Sequence, residues 1–200
     1  MGNTPNNNFP YPEATGLVKD GAQNIEDLAA AIDTTLGVYS PATPGLVKIS
    51  TTSFSGVTSQ SFNSIFSATY DNYKITFEAI GSTNISGNIR MRASGTDNTT
   101  ASSYITRQLI GSGIDAISQT ATSTSWLEMF FLTTEKGVGS FEFFNPFLAV
   151  NTNILGIAAR DSVIATSNGR HNSSVSFDGF SLICPSGTMT GSVSVFGYAK

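Results

Sequence analysis

Cysteine occurs once in these 200 residues, at Cys184, so no intrachain disulfide or cysteine-based zinc cluster can form, and the thiol reads as a small core residue. Histidine is also single. Charge is scarce: Asp, Glu, Lys and Arg make up 12% of the chain, and the ten basic residues are scattered under a net charge of -4. With no basic stripe to neutralise phosphates, nucleic acid is not an expected partner. The longest apolar stretch, Trp126–Leu132, falls far short of the roughly 18 residues of a membrane span. The opening MGNTPNNN lacks both the cationic and the apolar part of a signal sequence. Neither membrane insertion nor export is expected.

Apolar residues make up 40% of the chain, among them fourteen Phe and six Tyr, and Ser, Thr, Asn and Gly fill most of the remainder. Aromatic and β-branched side chains suit a half-buried pleated surface, so the bulk reads as all-β. Residues 1–15 are rich in Pro and Asn and cannot bury a core of their own, which makes them an arm. In the segment that follows, Ile25, Leu28, Ile32 and Leu36 recur at helical spacing. One amphipathic helix is expected there, capped by Asp20 or Asn24 and stopped by Gly37. At about four turns it is marginal alone in water, so its stripe needs a cover from its own domain or from copies of itself.

Residues 38–56 read as a Pro, Gly, Ser and Thr-rich linker with one short strand. The tetrapeptide GLVK occurs at Gly16–Lys19 and again at Gly45–Lys48, either as a strap laid along a sheet edge or as chance recurrence. Residues 57–200 alternate at period two through eight or nine runs, among them YKITFEAI with Tyr73, Ile75, Phe77 and Ala79 on one face. This spacing predicts an antiparallel β-sandwich or jelly roll. Asn168–Gly169 reads as a hairpin turn and the CPSGT segment as another. Runs with Phe on both faces, at Phe130–Phe131 and Phe141–Phe144, are expected at the centre of a sheet or at a contact between subunits.

Chemistry is sparse. A Ser-His-acid set would need His171, which reads as a solvated turn residue, and no GxSxG elbow presents a nucleophile. Glu78, Glu128 and Glu142, with Asp115, Asp161 and Asp178, are the carboxylates from which a glycosidase pair would come, and their spacing singles out no two. No metal-ligand cluster or phosphate loop is present; Gly111–Gly113 lacks the third glycine and the Lys of such a loop. Neither a cofactor nor enzymatic turnover is expected. The Asn-x-Ser/Thr patterns at Asn84, Asn98 and Asn172 are what a Ser- and Thr-rich chain yields by chance. Trp126, Tyr104 and Tyr198 are either core residues or stacking platforms for sugar. Asp97, Asn98 and Asn168, placed at expected loop ends, are the candidate contacts to a cell-surface glycan.

Three groups of residues carry a family likeness: Phe62, Phe66, Tyr70, Asp71, Asn72 and Tyr73; then Arg90, Met91, Arg92, Gly95, Thr96, Asp97 and Asn98; then Val193, Val195, Phe196 and Gly197. Across most of residues 57–200 the chain resembles a family of tailed-bacteriophage virion proteins. Its N-terminal YPEATGLVKDGAQNIEDLAAAIDTTLG is similar to the leading segment of phage tail and fibre proteins. The resemblance implies a homotrimeric, non-enzymatic virion appendage such as a tail fibre or spike. It implies attachment of the 1–37 arm and helix to another virion protein, through Tyr11, Pro12, Leu17 and Val18, and oligomerisation through Ile25, Leu28, Ile32 and Leu36. An isolated coiled coil with Ile and Leu in its core favours two strands, so the threefold count comes from the resemblance alone. A capsid decoration (cement) protein or a glycan-binding receptor module fits the same residues.

Overall fold

A computed structural model of the chain describes residues 2–3, 9–11, 20–38, 45–112, 115–161 and 163–200, without the side chains of 2–3, 10, 35–38, 112 and 115–121. These fall into two compact units, 1–44 and 45–200. In the first, β1 (Gly2–Asn3) pairs antiparallel with β2 (Pro10–Tyr11), beside which runs α1 (Gly21–Val38). The helix runs through Gly37 rather than ending before it. Its first turn holds no acidic residue; Asp20 precedes it, and Asp27 accepts an i, i+4 hydrogen bond from Gln23 at 3.0 Å.

The second unit is an all-β sandwich of two antiparallel sheets packed face to face. Its strands are β3 (Leu46–Val57), β4 (Ser59–Phe62), β5 (Asn72–Gly81), β6 (Ile85–Ala93), β7 (Thr96–Asp97), β8 (Tyr104–Ser112), β9 (Asp115–Ser123), β10 (Trp126–Leu132), β11 (Gly137–Phe144), β12 (Thr152–Arg160), β13 (Val163–His171), β14 (Gly179–Ile183) and β15 (Met189–Tyr198). The larger sheet runs β3-β15-β5-β11-β12-β13-β8-β9 and the smaller β10-β6-β14-β4, with β7 added on β6. Residues 46–57, expected largely within a linker, thus form a twelve-residue edge strand. The second GLVK segment opens it against β15 of its own chain, with Leu46 opposite Tyr198. Beside that pair the amide of Ala199 donates to the carbonyl of Gly45 at 2.9 Å. The first GLVK segment lies outside the described residues.

Period-two patterning carries the core. Tyr73, Ile75, Phe77 and Ala79 turn inward from β5, Phe141 and Phe143 from β11, and Val193 and Val195 from β15. They meet the smaller sheet through rings: Phe77 and Phe130 lie 5.5 Å apart edge-on, and Phe143 and Phe180 5.4 Å. β11 is central, as its aromatic run demands. β10 instead edges the smaller sheet, yet Met129, Phe130, Phe131 and Leu132 are all buried. A bulge between Trp126 and Phe130, with Glu128 at φ +53°, re-aims this strand, and the Arg160 guanidinium sits 5.9 Å from the Phe131 ring centre.

Asn168–Gly169 is not a hairpin. It lies inside β13, with Asn168 opposite Leu155 and Arg107, and Gly169 opposite Ile154 and Thr106. The glycine is there because the Trp126 ring packs against it, so that a Cβ would sit 2.5 Å from the indole Cδ1. A two-residue hairpin is found instead at Ser94–Gly95, between β6 and β7, where both residues have positive φ, as a type I′ turn requires.

Candidate functional site

Asp97 and Asn98, expected as exposed loop contacts, are tied into the fold. The turn at Ser94–Gly95 brings β7 back beside Arg92, a buried residue of β6. Arg92 Nη1 donates to Asp97 Oδ1 and, at 3.0 Å, to Ser181 Oγ; Nη2 donates to the Gly95 carbonyl, and Nε to Asn63 Oδ1 at 2.8 Å. Ser181 Oγ also donates to Asp97 at 2.8 Å. Every nitrogen of one guanidinium is therefore used to clasp a hairpin against β14 and the 62–66 segment. The Arg-Met-Arg and Gly-Thr-Asp-Asn segments, read for family likeness, are this clasp.

Asn98 faces the sandwich interior. Its backbone carbonyl accepts from the Tyr104 hydroxyl at 2.8 Å, and its Oδ1 lies 3.4 Å from His171 Nε2. His171 is fully buried at the end of β13, not in a solvated turn, because its ring fills a box made by Tyr104, Phe177 and Trp126, with ring centres 4.5, 4.8 and 6.5 Å away. The Ser173 amide donates to Nδ1 at 3.2 Å, which leaves the ring proton on Nε2, facing Asn98. Trp126 and Tyr104 are core residues, each fully buried.

Burial pulls the His171 pKa below its usual value, so the neutral ring is favoured in the fold while the unfolded chain protonates normally. The stabilisation is therefore complete above about pH 6.5 and is lost as pH falls from there towards the folded-state value. A melting temperature followed from about pH 7.5 to 5 is expected to fall, and to fall less in a His171→Gln protein. Because the chain has one histidine, equal slopes in the two proteins would refute this assignment.

The candidate carboxylates do not gather. Glu78 pairs with Lys136 at 3.1 Å and Glu142 accepts from the Tyr198 hydroxyl at 2.6 Å; burial first, and then this bond, push that phenol up to about 12. Register places Glu78 opposite Val138 and Glu142 opposite Lys74, four residues apart along neighbouring strands, or about 13 Å. Asp178 accepts from the Ser94 amide at 2.9 Å, Asp161 is exposed beyond β12, and the Asp115 side chain lies outside the described residues. Among the described residues no three His, Cys, Asp or Glu side chains stand together. Burial pushes the Cys184 thiol up to about 11, which keeps it protonated and unreactive near neutral pH. No helix among the described residues is long and apolar enough to cross a membrane.

Asn168 stands apart from Asp97 and Asn98. On β13 the even-numbered residues 164–170 face outward and the odd-numbered ones inward, so Asn168 and His171, the partner of Asn98, occupy opposite faces of the larger sheet. Within the second unit that outer face is uncovered, and it is divided along the strand direction. One end is aliphatic, with Leu109 and Ile157 in one cross-strand row, Ile164 and Val138 in the next, and Ile80 beyond them, each between 42% and 62% exposed. At the other end Asn168 lies in a groove among arginine, asparagine and phenylalanine side chains. The first unit has an open apolar stripe of its own, since Ile25 is 68% and Ile32 38% exposed, while Leu28 is half-buried. Tyr11 is exposed. Pro12, Leu17 and Val18, and the side chain of Leu36, lie outside the described residues.

No protein-family model matches this sequence, and a search of curated proteins finds no match to it.

Proposed function

We propose that this chain is a structural protein of a bacteriophage virion: a homotrimeric fibre- or spike-like appendage whose N-terminal segment attaches it to another virion protein and whose β-sandwich faces outward. The observation that carries this reading is the helix stripe. Ile25 and Ile32, one heptad apart, are open to water in a single copy of the helix, and threefold packing about that stripe would cover them. The resemblance to virion proteins supplies the setting and the number three. The aliphatic end of the outer sheet face is a second surface that sister copies would cover. The work is mechanical and adhesive, with no turnover and no cofactor.

Light scattering on the purified protein is expected to give three times the mass of one chain, and an Ile25→Asp, Ile32→Asp protein to give one. A monomer at micromolar concentration, together with absence of the protein from purified phage particles, would overturn the proposal. Decoration of the capsid differs from a tail fibre only in position, and an electron-microscopy map of the particle distinguishes them.

A further inference from the structure

We infer that the groove at the polar end of the outer sheet face is a binding site for an acidic saccharide, one whose sugar rings carry carboxylates. The groove has a volume of about 460 Å³, and six of its lining side chains supply the recognition: Ile105, Arg107, Phe144, Asn153, Asn168 and Arg170. They come from four adjacent strands in two cross-strand rows. Ile105, Arg170, Asn153 and Phe144 form one row, and Arg107, Asn168 and Leu155 lie in the next.

Register sets the chemistry. Arg107 is opposite Asn168, and Arg170 is two residues further along the same strand, so the two guanidiniums project from a diagonal pair of positions about 7–8 Å apart. The groove lining contains no Asp or Glu. Two guanidiniums at neighbouring positions concentrate positive charge in a chain whose net charge is -4, and the planar fork of Arg matches a carboxylate in two hydrogen bonds; Glu142, next after Leu155 in the second row, is engaged by the Tyr198 hydroxyl. Arg170 is already oriented, since its Nη2 donates at 3.1 Å to the Asn151 amide oxygen in the amide orientation that satisfies both groups.

The remaining residues select a sugar over a bare anion. Asn153 and Asn168 each offer a donor and an acceptor, as a ring hydroxyl requires, and both are exposed. Phe144, half-buried beside Asn153 in the same row, gives an apolar surface on which the C–H face of a pyranose can lie. Two cations with a single ring are too few to track a nucleic acid backbone. The inference rests on the reading above that the sandwich faces the surroundings, and it names what that surface takes up.

The test is calorimetric titration of the full-length protein with two probes, oligogalacturonate and oligosialic acid, and with methyl-esterified oligogalacturonate as the uncharged counterpart. Saturable binding of at least one acidic probe is expected, with the ester weaker by roughly tenfold or more. An Arg107→Ala, Arg170→Ala protein should lose binding, and Phe144→Ala should weaken it. A Lys48→Ala, Lys136→Ala protein, which loses the same charge elsewhere, should bind as the unaltered protein does. No saturable binding to either acidic probe overturns the inference. So does full competition by inorganic phosphate combined with an unchanged Phe144→Ala protein, which would make this a plain anion site. If no saccharide binds and the double arginine variant loses mass in light scattering, the groove is a contact between copies and the inference is again overturned. The mass of the unaltered protein tests the assembly reading separately, so the two can fail independently.

Discussion

An Arg92→Ala protein is expected to be less stable than the unaltered protein by about 3–5 kcal/mol, read as a lower denaturant midpoint with an unchanged slope. The magnitude follows from what the substitution leaves behind. The Asp97 side chain is 23% exposed and that of Arg92 11%, so removing the guanidinium strands a carboxylate that water reaches only in part. It also releases the Gly95 carbonyl, Asn63 Oδ1 and a bond to Ser181 together. Arg90, 3.9 Å from the other Asp97 oxygen, is too far to take over the bonding. Changing both partners, as Arg92→Met with Asp97→Leu, should recover much of the loss, because the desolvated charge goes with its partner. A single-variant loss under about 1 kcal/mol would show that the clasp is no more than a surface pair.

A Phe180→Ala protein should lose a similar amount, about 3–5 kcal/mol, by a different mechanism. Phe180 is fully buried on β14 and touches three rings, of which Phe143 belongs to the facing sheet. It stacks on Phe62 with centres 4.6 Å apart and planes 16° from parallel, and it meets Phe66 at 5.9 Å and Phe143 at 5.4 Å. Truncation removes the transfer free energy of the ring and opens a cavity that neighbours on two rigid sheets cannot close. Phe180→Leu, which keeps most of the volume, should cost less than half as much, at most about 1.5–2 kcal/mol. Equal losses for Leu and Ala would point to the specific ring geometry rather than to filled space.

The fold class was legible because strand periodicity is local: Tyr73, Ile75, Phe77 and Ala79 announce their face within eight residues. What long-range pairing decides was not. β3 reads as linker since its Ser and Thr alternate with few large apolar residues, and its partner β15 lies well over a hundred residues away. Asn168–Gly169 mimics a turn, and only the Trp126 ring packed against the glycine explains a strand there. His171 gave no sign of burial, because its box is assembled from Tyr104, Trp126 and Phe177 on separate elements. At the candidate groove, Asn168 stood out as a polar residue, whereas Arg107, Phe144 and Arg170 carry no motif and become neighbours only through register. Asp97 and Asn98 were equally conspicuous, and both make bonds within the scaffold.

The hydrogen bond between Gly45 and Ala199 has a practical consequence. With both ends of the β unit meeting at one corner, residues 45–200 form a cassette that can be spliced into an exposed loop of an unrelated carrier through two short joints. Little loop-closure entropy opposes such a graft, and the groove would be presented there as it is in the parent chain.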